Sequence, residues 1–115
     1  MKKMIAFITV FSIFFSVPTI YAQKTCTFNS KECFTRKGYP ACRNRTDLDK
    51  YYEFTESGKT DMAENILSDK KRCITLEGNA RVALQYHHKD KVKILFRGSN
   101  QSYWVIKEAV YTRGN

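Results

Sequence analysis

Three groups of side chains in this 115-residue chain have types and spacings that could support chemistry: four cysteines, two adjacent histidines, and a run of basic and aromatic residues toward the C-terminus. Six, eight and thirty residues separate Cys26, Cys33, Cys42 and Cys73 in turn. That spacing contains no Cys-x-x-Cys pair, and no histidine lies at finger spacing to complete a tetrahedral zinc site. His87 and His88 are neighbours; in a strand or turn their rings point to opposite faces and cannot easily chelate one ion. A phosphate-binding loop, a metalloprotease helix and a nucleophile elbow are all missing from the sequence. The carboxylates between residues 47 and 69 are accounted for by helix caps and solvated faces. The expectation is therefore no catalytic residue, no metal, no cofactor and no enzyme.

The cysteines have a simpler use. An even number in a short exported chain normally forms disulfides, and export is written at the N-terminus. Lys2 and Lys3 precede an apolar run from Met4 to Val17, followed by Pro18 and the small residue Ala22, which is the order of a signal peptide. A membrane anchor needs roughly 20 apolar residues, whereas Ser12, Ser16 and Pro18 interrupt this run before Gln23-Lys24-Thr25. The expected division is a signal peptide over 1–22 and a single domain over 23–115. All four cysteines fall in that domain. Cys26–Cys33 with Cys42–Cys73 is the preferred pairing, a short local loop and a tie between the two halves; Cys33–Cys42 with Cys26–Cys73 is the rival. A periplasmic or secreted location follows, with no stable membrane insertion after cleavage.

The third group concerns binding. In the stretch 91–97, Val92, Ile94 and Phe96 share one face of a strand, while Lys91, Lys93, Leu95 and Arg97 share the other. Tyr103 and Trp104 are consecutive, so one faces inward and the other outward. Lys91, Lys93, Arg97 and Tyr103 or Trp104 thus form a candidate platform for an anionic chain, a glycan or a peptide. The competing account makes Trp104 a core plug and the lysines a solvated face. The signal carries two of twenty basic residues and none of the eleven acidic ones, so the mature chain keeps a net charge of +7. Its partners are expected to be anionic, an envelope polymer or a protein, unless the charge serves solubility alone. Nucleic acid is not expected, and the domain is expected to be a monomer.

The elements that must position these residues change character along the chain. Residues 23–45 are polar and cysteine-rich, with Gly38 and Pro40, and predict a disulfide-held loop region. Thr46 before Asp47, then Leu48, Tyr51, Tyr52 and Thr55, predict a short amphipathic helix ended by Ser57-Gly58. Thr60 or Asp61 caps a second, with Glu64 closing a capping box and Met62, Ala63, Ile66 and Leu67 on one face. From Cys73 the period becomes two, over 73–76, 81–86, 92–97, 102–106 and 109–111. The fold class expected is α+β: a loop-and-helix part over 23–72 preceding a small antiparallel β-barrel of about five strands over 73–111.

Gly78-x-x-x-Val82, Lys91-Val-Lys-Ile-Leu, Tyr103-Trp-Val and Glu108-Ala-Val resemble the bacterial SH3-like small barrels of exported proteins. More broadly, Gly38-Tyr-Pro-Ala-Cys42 and Cys73-Ile-Thr-Leu-x-Gly78 resemble a set of small, uncharacterised secreted bacterial proteins. The resemblance covers roughly residues 38–111 and implies an SH3-like barrel, an exported setting and binding rather than catalysis. A helical insertion, the lack of a tandem repeat and the lack of an attached hydrolase domain depart from wall-targeting modules. Two roles are carried forward. One is a non-catalytic binding module of the bacterial envelope; the alternative is an inhibitor or immunity-type protein that blocks a secreted or periplasmic enzyme or toxin through a loop.

Overall fold

A computed structural model describes residues 23–113; the expected signal peptide lies outside the described residues. Eight strands form one antiparallel sheet: β1 (Lys24–Thr25), β2 (Cys33–Thr35), β3 (Pro40–Cys42), β4 (Cys73–Thr75), β5 (Arg81–His88), β6 (Lys91–Phe96), β7 (Ser102–Ile106) and β8 (Val110–Thr112). Their spatial order is β1-β8-β2-β5-β6-β7-β3-β4. Two helices, α1 (Arg45–Glu56) and α2 (Thr60–Ser68), lie between β3 and β4 in sequence.

The expected five-strand barrel is wrong. Three of the eight strands, β1, β2 and β3, come from the cysteine-rich stretch expected to be loop, and two of them, β2 and β3, have a strand on either side. β3 pairs with both β7 and β4, and β2 pairs with both β5 and β8. β4 and β5 consequently never meet, and the sheet curls into an open half-barrel. Two- and three-residue strands are too short for alternation to reveal, and here tertiary pairing rather than local propensity makes them strands.

The stretch 76–80 crosses the open side from β4 to β5, and Thr35 on β2 holds it. Thr35 is fully buried. Its Oγ1 donates to the Glu77 carbonyl at 2.5 Å and accepts from the Ala80 N–H at 3.0 Å. Its backbone N–H donates to the Ala80 carbonyl at 3.0 Å, and its carbonyl accepts from Asn79 N–H at 2.7 Å. A buried hydroxyl is tolerated because both its donor and its acceptor capacity are met.

The two sheet faces bury different things. Inside the curl, Val82, Val92, Ile94, Tyr103, Val105 and Val110 form the main core with Ala41, Leu76 and the Cys26–Cys33 pair. On the outer face, Cys42, Cys73, Leu48 and Ile66 form a second cluster, flanked by Tyr51, Tyr52, Phe54, Leu67 and Trp104. Both helices exist because this cluster covers their apolar stripes, since helices of 12 and 9 residues are too short to hold alone in water. Each begins one residue or more ahead of the expected cap: Asn44 and Lys59 occupy the N-cap positions, neither with a side-chain capping bond. Ala63 and Ile66 are buried as the helical period requires, but Met62 is 47% exposed.

The disulfides take the preferred pairing, Cys26–Cys33 and Cys42–Cys73. Cys42 and Cys73 are directly opposed on β3 and β4. Backbone bonds from Arg43 N–H to Arg72 O and from Leu76 N–H to Tyr39 O, each 2.8 Å, place them at a non-hydrogen-bonded site. There the strands come closest, with Cα atoms 4.0 Å apart.

Candidate functional site

The five basic and aromatic residues singled out by sequence do not stay together. Tyr103 is buried in the main core, its ring edge-on to Phe96 at 5.8 Å. Trp104 turns the other way, half-buried on the outer face beside the helices. Lys91 is held by α1 and by the hairpin turn, its Nζ 3.0 Å from Asp49 Oδ1 and 3.3 Å from Asp90 Oδ1. Burial works against its charge, but the hydrogen bonds to the two carboxylates outweigh it and keep the ammonium above the ordinary lysine pKa. Lys91 is thereby a clasp between helix and sheet. Arg97 is exposed beyond the end of β6. It lines a small cavity of about 210 Å³ with Phe28, Lys31 and Ala83.

Lys93 and Trp104 do come together, as direct cross-strand partners on β6 and β7. The same row continues on both sides. Trp104 faces Cys42 on β3, and Lys93 faces Tyr86 on β5. The Lys93 ammonium stands 5.6 Å from the centre of the Tyr86 ring, and the Arg45 guanidinium 5.7 Å from that of Trp104. Read across β5, β6 and β7, the outer face presents tyrosine, lysine and tryptophan in order, with Arg45 at the start of α1 beside the tryptophan. Among the described residues Lys93, Arg45 and Arg97 have no carboxylate within ion-pair distance.

Tyr86 is the member that sequence reasoning missed, for a structural reason. Strict alternation from Val82 and Leu84 places Tyr86 in the core. The β5–β6 register slips between Leu84 and Tyr86, so Gln85 is an extra residue and everything after it changes face, as β-bulges do. Tyr86 emerges 61% exposed. Gln85 Oε1 accepts a 2.8 Å hydrogen bond from Ser102 Oγ on β7, which braces the bulge across β6. His87 and His88 fall beyond the bulge, opposite Val92 and Lys91, and so on different faces.

A second feature stands apart from the row. The six residues between Cys26 and Cys33 make a tight turn, Ser30 N–H to Thr27 O at 2.9 Å, reinforced by Thr27 N–H to Ser30 Oγ at 3.0 Å. Phe28 sits on that turn, 58% exposed. The open side of the half-barrel is a third, a groove of about 460 Å³ lined by Ile74, Leu76, Ala80 and Phe96 among others.

No protein-family model matches this chain, and neither a curated protein nor a solved structure is detectably similar to it. Two disulfides fit an oxidising, exported setting. Among the described residues no helix is long and apolar enough to cross a membrane.

Proposed function

We propose that this is an exported binding protein of the bacterial envelope, without catalytic activity, whose outer sheet face takes an anionic ligand. A signal peptide over 1–22 would deliver it to the periplasm or the medium. The observation that carries the reading is the row Tyr86, Lys93 and Trp104, where a cation stands between two aromatic rings and Arg45 of α1 lies beside the second ring, neither cation having a carboxylate within ion-pair distance among the described residues. Such a surface offers charge attraction and stacking together, and its cations are not spent on the protein's own carboxylates. The test is titration of the mature domain with poly-L-glutamate and with peptide-stripped cell-wall glycan, at low and at high salt. Salt-sensitive binding of either that is lost in the Lys93→Gln/Arg45→Gln double variant supports the reading. Binding unchanged by the double substitution removes it.

A second role, an inhibitor or immunity-type protein acting on a secreted enzyme or toxin, is favoured by Phe28. A large apolar side chain displayed on a disulfide-closed turn is preorganised to enter a pocket on another protein. That role predicts a tight one-to-one complex which Phe28→Ala breaks and Lys93→Gln does not.

A further inference from the structure

The row on the outer face has a repeat, and the repeat selects among anionic ligands. We infer that the ligand is a linear glycan in extended β-1,4-type linkage with a carboxylate on every second sugar, lying across β5, β6 and β7 at right angles to the strands. This rests on the proposed anion-binding role of that face and narrows it to one chemical class.

Neighbouring strands are about 4.8 Å apart, and Tyr86, Lys93 and Trp104 occupy one cross-strand row on three consecutive strands. Aromatic and cation therefore alternate every strand, and the two aromatics recur after two spacings, about 10 Å. One strand spacing is close to the rise of one sugar in an extended β-1,4 chain, and two spacings are close to its disaccharide repeat. The near-twofold twist of such a chain also turns every second sugar to the same side. A neutral sugar over Tyr86 then places the next, acidic sugar at Lys93 and another neutral sugar at Trp104, with the Arg45 guanidinium of α1 adding positive charge beside that ring. The flat apolar face of a pyranose suits an aromatic ring, and the carboxylate suits the ammonium.

An extended acidic peptide fits less well. Its side chains on one face recur about every 6.7 Å, so carboxylates matched to Lys93 fall out of step with the row within two residues. The Gln85 bulge strengthens the choice, because it is the device that brings Tyr86 into line with Lys93 and Trp104. Without it the row would hold one aromatic and no repeat.

The required chemistry exists in wall glycan stripped of its stem peptides, a β-1,4 chain in which muramic acid carries a carboxylate on every second sugar; hyaluronan, which also has a carboxylate on every second sugar but alternates β-1,3 with β-1,4 links, serves as the contrast. The experiment is calorimetric titration of the mature, disulfide-intact domain with four probes: peptide-stripped wall glycan, hyaluronan oligosaccharide, neutral chitohexaose, and poly-L-glutamate of matched charge. Wall glycan should bind at least tenfold more tightly than chitohexaose or polyglutamate and more tightly than hyaluronan; tighter binding of hyaluronan overturns the β-1,4 repeat. Lys93→Gln should cost tenfold or more toward the acidic glycan and leave the weak chitohexaose binding unchanged. Tyr86→Ala should weaken both sugars and leave polyglutamate unchanged. Equal binding of polyglutamate and acidic glycan overturns the glycan inference while leaving an anion-binding face. Absence of binding to every anionic probe overturns both.

Discussion

Cys42 on β3 stands directly opposite Trp104 on β7, and the disulfide from Cys42 to Cys73 continues the same outer-face row onto β4. The staple that joins the two halves of the chain is therefore also the flank of the candidate binding row. It closes a sequence separation of 31, against 7 for Cys26–Cys33. On the chain-entropy account, loops of these lengths are worth about 3.7 and about 2.4 kcal/mol. Urea unfolding of Cys42→Ala/Cys73→Ala should accordingly show roughly one and a half times the loss of Cys26→Ala/Cys33→Ala. The first variant should also disturb Trp104 fluorescence in the folded state, and the second should not. Equal losses would mean that the native contacts around each bridge, rather than loop length, set its contribution.

Asp47 in the first turn of α1 receives two hydrogen bonds from Arg72, Nη2 to Oδ1 at 2.6 Å and Nε to Oδ2 at 3.2 Å. The Arg72 bonds outweigh burial and hold the Asp47 carboxyl below the ordinary carboxylate range. A depressed folded-state pKa gives stability that is complete above the unfolded value of about 3.9 and is lost as pH falls through the lower folded value. Arg72 is 40% exposed, so solvent screening keeps the pair's contribution small. Asp47→Asn should lower the urea midpoint at neutral pH, and the two proteins' stabilities should converge as pH drops below 4. A difference that persists undiminished in acid would show that the loss comes from packing and not from the charge.

The helices, the strands from Cys73 onward and the preferred disulfide pairing were legible because each rests on a local pattern: a 3.6 period from Leu48 to Tyr52, a period of two from Val92 to Phe96, and the distances between cysteines. β3 was not legible. Pro40-Ala41-Cys42 opens on a proline two residues after Gly38, a pairing that reads as a turn, and it is a strand only because β7 and β4 flank it. With β1 and β2 equally hidden in two- and three-residue pieces, the five later strands alone suggested a barrel where the chain forms an open eight-stranded sheet. Of the candidate site, Lys93 and Trp104 were reachable from alternation. Lys91 was not separable from Lys93, because its engagement depends on Asp49 arriving from a helix. Tyr86 was hidden by a bulge, which breaks the very period used to read the strand.

Lys89 lies in the turn between β5 and β6 with φ +57, a left-handed conformation that costs a side-chain-bearing residue about 1 kcal/mol. Its backbone fits the glycine region and its side chain is exposed. Lys89→Gly should raise stability by about 0.5 kcal/mol after the added unfolded-state freedom is offset, a gain of about 2–4 °C in Tm. Gly98 in the next turn, at φ +84 with open space around its missing Cβ, supplies the contrast: Gly98→Ala should lower Tm. Calorimetry of both variants checks the pair. A fall in Tm for Lys89→Gly would mean that the lysine side chain itself stabilises the hairpin.

Tyr86 and Trp104 share the outer row but not its energetics. Trp104 packs beside Leu48 and the Cys42–Cys73 bridge, so truncation strips contacts from the helix layer as well as from the surface. Tyr86 is 61% exposed, with the Lys93 ammonium beside its ring. Trp104→Ala should therefore cost about 2 kcal/mol of folding stability, below the range for fully buried tryptophans, and loosen α1. Tyr86→Ala should stay within about 0.5 kcal/mol of the parent. Both should weaken acidic-glycan binding, but Tyr86→Ala alone should do so with an unchanged unfolding curve. That separation is what distinguishes a ring displayed for a ligand from a ring that completes a core. Should Tyr86→Ala prove as destabilising as Trp104→Ala, the Gln85 bulge would exist to pack Tyr86 and not to present it, and the row would lose the member that gives it a repeat.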